Sequence, residues 1–145
     1  MNAPKTIASL LYPDVMSLDV TGPLQVFASA NAELQRQGQA PAYQILLLGH
    51  EAGPVATSAG FKIVADCSWH DIDASILDTL LIPGGPGEVR QCENSQLLDW
   101  LRASEPHIRR LGSVCSGALI LAASGLLDGH PATTHWAAKA NRRCG

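Results

Sequence analysis

Positive charge is scarce in this chain: ten Lys and Arg stand against thirteen Asp and Glu, a formal net charge of −3. Nucleic-acid modules generally carry a basic footprint, so these residues do not make a polyanion-binding surface by themselves. Long apolar runs are missing too, and no stretch approaches the ~18 consecutive apolar residues of a membrane span. The start, Met1-Asn2-Ala3-Pro4-Lys5 followed by Thr6 to Tyr12, has neither the longer apolar segment nor the small-residue cleavage site of a signal peptide. There is no C-x-x-C pair: Cys67, Cys92, Cys115 and Cys144 are spaced 25, 23 and 29 apart. That spacing argues against a zinc ribbon or a thioredoxin-type centre. Without an export signal, the expectation is a cytoplasmic protein with reduced thiols. Repeats, low-complexity tracts and linkers are absent as well.

What is present is apolar material. Hydrophobic residues make up 46% and charged residues 16% of 145 positions, which excludes a disordered chain. One domain of this length would bury roughly 70% of its unfolded surface. The short apolar run 6–12 reads as a first buried strand, broken by Pro13-Asp14. From Leu18 to Gln37 the apolar positions recur at helical spacing, with Gly38 as the stop. Tyr43–Leu48 is a second strand. Segments 54–58 and 61–66 around Ala59-Gly60 predict a hairpin at the sheet edge. Thr79–Ile82 is a strand ending in Pro83-Gly84-Gly85-Pro86-Gly87, and 95–109 is an amphipathic helix. A short strand over 111–114 leads through Cys115 into a small-residue helix that ends near Gly125. Beyond it, 132–134 reads as a strand and 137–143 as a helix start. Strands alternating with helices predict an α/β fold around a mainly parallel sheet.

The segment Gly112-Ser113-Val114-Cys115-Ser116-Gly117-Ala118 carries the chemistry best. A strand enters it, a helix leaves it, and small residues surround the middle position, as in a nucleophile elbow. Cys115 would then sit at a helix N-terminus, where backbone N–H groups and the helix dipole favour a thiolate. A buried structural cysteine is the other reading. The Gly-rich turn at 83–87 lies on the same sheet edge and offers N–H groups to an oxyanion, or is simply a turn. It is not a dinucleotide fingerprint, because Arg90 stands where the third glycine would be. His135, at the end of the next predicted strand, is a candidate base for Cys115, or a surface residue beside Trp136. Asp19 either caps the first helix or brings a carboxyl group to Cys115. His70, Asp71 and Asp73 suggest a solvated turn more than a metal site. No metal and no cofactor is expected.

Leu18-Asp19-Val20-Thr21-Gly22-Pro23, Ser58-Ala59-Gly60, Ile82-Pro83-Gly84-Gly85, Ser113 to Ala118 and Gly125 to Trp136, taken in this order, resemble the ThiJ/PfpI family of the class I glutamine-amidotransferase-like superfamily. The resemblance is strongest to the amidase-like sensor domains of AraC/GlxA-type transcription regulators and to the isocyanide hydratases. It implies a flavodoxin-like three-layer sandwich, usually dimeric, with the elbow cysteine in a pocket near the subunit interface. It also implies Cys115 as nucleophile, Asp19 as acidic partner and His135 as the family histidine. Gly84 or Gly85, with the Ser116 N–H, would supply oxyanion-type donors. Family members continue past the Thr-His-Trp strand, so residues 1–145 are expected to be one such domain, truncated at its C-terminus. The function implied first is ligand sensing for transcription, with a small metabolite near Cys115. A homodimer is expected, with DNA contacted only through a helix-turn-helix domain absent from this chain. The alternative is a stand-alone cysteine-dependent hydro-lyase of isocyanide hydratase type. A redox-sensing protein is a third reading, requiring selective oxidation of Cys115.

Overall fold

The computed structural model describes residues 3–131. The elements run β1 (Lys5–Leu10), α1 (Ser17–Arg36), β2 (Tyr43–Gly49), β3 (Gly53–Ala56), β4 (Lys62–Ala65), β5 (Cys67–Ser68), β6 (Leu77–Ile82), α2 (Glu88–Cys92), α3 (Ser95–Ser104), β7 (Arg110–Ser113) and α4 (Gly117–Ala123). In β1, Ile7, Ala8, Ser9 and Leu10 are all buried. Burial on both faces belongs to a strand inside a parallel sheet. β1 pairs in parallel with β2 on one side and β6 on the other. β5 and β7 extend the sheet in the order β5-β2-β1-β6-β7, again in parallel.

From β1 the chain steps to β2 in one direction, and from β6 to β7 in the other. Right-handed crossovers then put α1 and α3 on opposite faces of the sheet. The result is the flavodoxin-like sandwich, with a crevice at the carboxyl ends of β1 and β6, where the strand order reverses. α1 is fastened to the start of β2 by Asn31. Its Oδ1 accepts from the Ala42 and Tyr43 N–H groups, both at 3.0 Å, and its Nδ2 donates to Tyr43 O at 2.7 Å. Arg109 forks onto both Asp78 oxygens at 2.7 and 3.0 Å, tying the lead-in of β7 to β6. Among the described residues, no helix is long and apolar enough to cross a membrane.

Three local readings change. The hairpin β3–β4 forms, but as a separate two-stranded sheet and not as an edge of the main one. It is laced to the β1–α1 connection, with Asp14 N donating to Ala56 O and Ser58 N to Val15 O, each at 2.9 Å. The helix predicted over 95–109 ends at Ser104. A single 3-10 turn follows (Glu105–His107), because Pro106 has no N–H to continue the ladder. The short helix α2 and the two-residue β5 carry too little periodicity to be read from sequence. Among the described residues, Cys67 and Cys115 are free cysteines. The predicted strand over 132–134 and helix over 137–143 lie outside the described residues.

The core condenses on β1, β6 and α4, where Ala8, Leu80, Ile82 and Ile120 are fully buried. Leu80→Ala is expected to lower unfolding stability by about 2–5 kcal/mol, the usual cost of an unfilled core cavity. Urea denaturation measures this, and a loss under about 1 kcal/mol would mean that the sheet centre is not close-packed.

Candidate functional site

Three strand exits meet at the crevice: the segment from Leu11 to Met16 after β1, the Pro83–Gly87 turn after β6, and Val114–Ser116 after β7. Backbone hydrogen bonds lace them together. Met16 N donates to Gly84 O at 2.9 Å, Gly87 N to Asp14 O at 3.3 Å, and Val114 N to Ile82 O at 2.9 Å. The approach is close enough to exclude side chains at Gly84, Gly85, Gly87 and Gly117. Gly85 has φ +141°, and a Cβ there would lie 2.4 Å from Met16 N. A Cβ on Gly117 would lie 2.0 Å from Ile82 O. Glycine at 117 is therefore what lets α4 start directly against the end of β6.

Between β7 and α4, Cys115 has φ +50°, a left-handed conformation that non-glycine residues seldom adopt. Such strain persists only where the surroundings impose it. Here Val114 is held to Ile82, and Gly117 N closes back on Val114 O at 3.0 Å. The turn aims the Cys115 thiol at Asp19, to whose carboxylate it is hydrogen-bonded. Asp19 is 8% exposed and reaches the crevice from the first turn of α1. Its Oδ2 accepts from Gly84 N at 3.1 Å, and the Gly85 N–H donates to Ser116 Oγ at 3.2 Å.

Electrostatics at this turn run opposite to the sequence reading. Partial burial of the sulfur pushes the Cys115 thiol up first, then the negative charge of Asp19, then the hydrogen bond that favours the S–H form. The Ser116 N–H pulls the other way and is outweighed. α4 is only seven residues long, which limits what its dipole adds. Burial and the Asp19 carboxylate thus push the Cys115 thiol up, against the thiolate that a helix N-terminus alone would favour.

Cys115, Asp19, Gly84, Gly85 and Ser116 thus come together. Asp19 does not cap α1: the cap position is Met16, and no side chain closes it. The Gly84 and Gly85 N–H groups, expected to await an oxyanion, are donated to Asp19 and Ser116. His135 lies outside the described residues. His70 stacks on Trp69 with ring centroids 3.8 Å apart, and Asp73 Oδ1 accepts from Ser75 N at 2.9 Å. Among the described residues, no three His, Cys, Asp or Glu side chains gather as a metal site. Two residues escaped the sequence reading. Tyr12 looked like the end of an apolar strand, yet its hydroxyl donates to Pro83 O at 2.6 Å. Glu88 was not singled out, yet it is 8% exposed and its carboxyl is pushed up by burial.

Removing the Asp19 charge should release the thiol. In Asp19→Asn the pH midpoint of Cys115 alkylation, resolved by peptide mass spectrometry, is expected to move to lower pH. A midpoint that stays put or rises would show that Asp19 does not govern the sulfur.

The DJ-1/PfpI family model matches residues 5–143. Isonitrile hydratase of Pseudomonas putida is 38% identical over 131 residues, covering 90% of this chain and 52% of that protein. The HTH-type transcriptional regulator GbdR of Pseudomonas aeruginosa is 28% identical over 133 residues, covering 92% of this chain and 34% of the regulator. The crystal structure of a ThiJ/PfpI family protein from Pseudomonas syringae superposes with a TM-score of 0.80 at 30% identity, covering 97% of this chain and 55% of that one. The chain thus spans about half the length of the hydratase and about a third of the regulator. It is related both to isonitrile hydratase and to HTH-type regulators, and it belongs to the DJ-1/PfpI family.

Proposed function

We propose that the chain is a ligand-sensing domain of the AraC/GlxA-regulator kind, holding a small amide- or amine-containing metabolite over Cys115 and Asp19. The observation that carries this reading is the buried Asp19 carboxylate, held by the Gly84 N–H at 3.1 Å beside the Cys115 thiol. A sensor needs a polar, shape-defined crevice, and this crevice offers a carboxylate, a thiol and a hydroxyl on a tightly laced backbone. The likeness to GbdR over 92% of the chain supports it. Met16, Leu18 and Val89, exposed apolar residues on the flanking elements, support a homodimer that covers them. DNA would be reached only through a separate helix-turn-helix domain, in the cytoplasm. His135, the family histidine of the resemblance, would act with Cys115 and Asp19.

The strained φ of Cys115 and the 38% identity to isonitrile hydratase favour a second reading, hydration of an isonitrile. Sulfur would bond to the isonitrile carbon while Asp19 passes the thiol proton to that carbon. Water would then add to the thioimidate, and C–S cleavage would return a thiol and release an N-substituted formamide.

One experiment separates the two. The chain is titrated calorimetrically with short amides and amines, and in parallel incubated with cyclohexyl isonitrile while proton NMR follows the formamide. Sensing predicts saturable binding that weakens at least tenfold in Asp19→Ala, with no formamide above buffer. Formamide formation that disappears in Cys115→Ala would overturn sensing in favour of turnover.

A further inference from the structure

Asp19 is held by one end of a peptide unit whose other end is held by Tyr12. The Pro83–Gly84 peptide gives its carbonyl oxygen to the Tyr12 hydroxyl at 2.6 Å, and its N–H goes to Asp19 Oδ2 at 3.1 Å. In a planar trans peptide the O and the N–H point to opposite sides. Fixing the oxygen therefore aims the hydrogen. Tyr12 is 3% exposed and sits just past the end of β1, so its ring is immobilised before it makes this bond. We propose that Tyr12 is a positioning residue: by clamping the carbonyl end of the Pro83–Gly84 peptide, it holds the Asp19 carboxylate against Cys115.

The arrangement spans three strand exits. Tyr12 follows β1, Pro83 follows β6, and Cys115 follows β7. The rest of the turn cannot substitute for the clamp. Gly84 O is used by Met16 N, and Gly85 N by Ser116 Oγ, so neither restrains the Pro83 carbonyl. The ionisable groups acting on the Tyr12 hydroxyl are Glu88 and Asp19, and with burial they push it far above the ordinary range of a phenol. That shift favours the protonated, donating form of the hydroxyl. A core-filling role would be served equally by phenylalanine; the clamp would not.

The inference deepens the Cys115–Asp19 reading and rests on it, but its readout is the sulfur's titration and needs no ligand. Cys115 alkylation by iodoacetamide is followed against pH, by peptide mass spectrometry, in the parent chain, Tyr12→Phe, Asp19→Asn and the double variant. Thermal melts run alongside separate a titration shift from loss of folding. With the clamp gone, Asp19 disengages from the sulfur. The Tyr12→Phe midpoint is expected to move to lower pH, part of the way to that of Asp19→Asn. In the Asp19→Asn background, Tyr12→Phe is expected to add no further shift. A Tyr12→Phe midpoint equal to or above the parent's, while Asp19→Asn moves, would overturn the positioning role alone. So would a Tyr12→Phe shift that persists undiminished in the double variant. An unmoved midpoint in Asp19→Asn overturns the inference together with the site reading beneath it.

Discussion

The hydrogen bond from the Gly84 N–H to the Asp19 carboxylate is the constraint on which the rest of this site depends. It joins residues 65 positions apart, one in the first helical turn and one in the turn after β6. A carboxylate that is 8% exposed needs partners to stay charged away from water. One partner comes from the Gly-rich turn and another from the Cys115 thiol. The parallel sheet supplies the geometry, because its central strands deliver all three connections to one edge. The close backbone approaches at Gly85 and Gly117 leave these connections little freedom to move apart.

This constraint also sets the chemistry. Partial burial of the sulfur opposes formation of the thiolate, and the acid placed beside the cysteine adds to the opposition. A thiol beside a buried carboxylate can serve recognition of a polar small molecule or turnover of an electrophile. Fold alone does not choose between these uses, and the family includes relatives named for each.

Much of the fold was legible in the sequence because periodicity and punctuation agreed. The apolar β1, the helical spacing that became α1, and the Pro-Gly break after β6 each appear within a residue or two of their expected ends. Cys115 was legible as a strand-to-helix turn, since only small residues flank it. What escaped needed three-dimensional knowledge. Nothing in the local sequence says that Asp19 turns from its own helix end to Gly84, or that Tyr12 spends its hydroxyl on Pro83. The sign of the Cys115 shift was misread for the same reason. A helix N-terminus can be seen in sequence, whereas a carboxylate arriving from α1 cannot. The hairpin was recognised from its turn, but its detachment from the main sheet depends on bonds to the β1–α1 connection.

The most direct test of this account is the titration of Cys115 in the unmodified chain. Site-resolved alkylation across pH should place its thiol above the ordinary range of an exposed cysteine. A midpoint below that range would mean a resting thiolate at the turn after β7, and it would contradict the proton-holding pair on which the account is built.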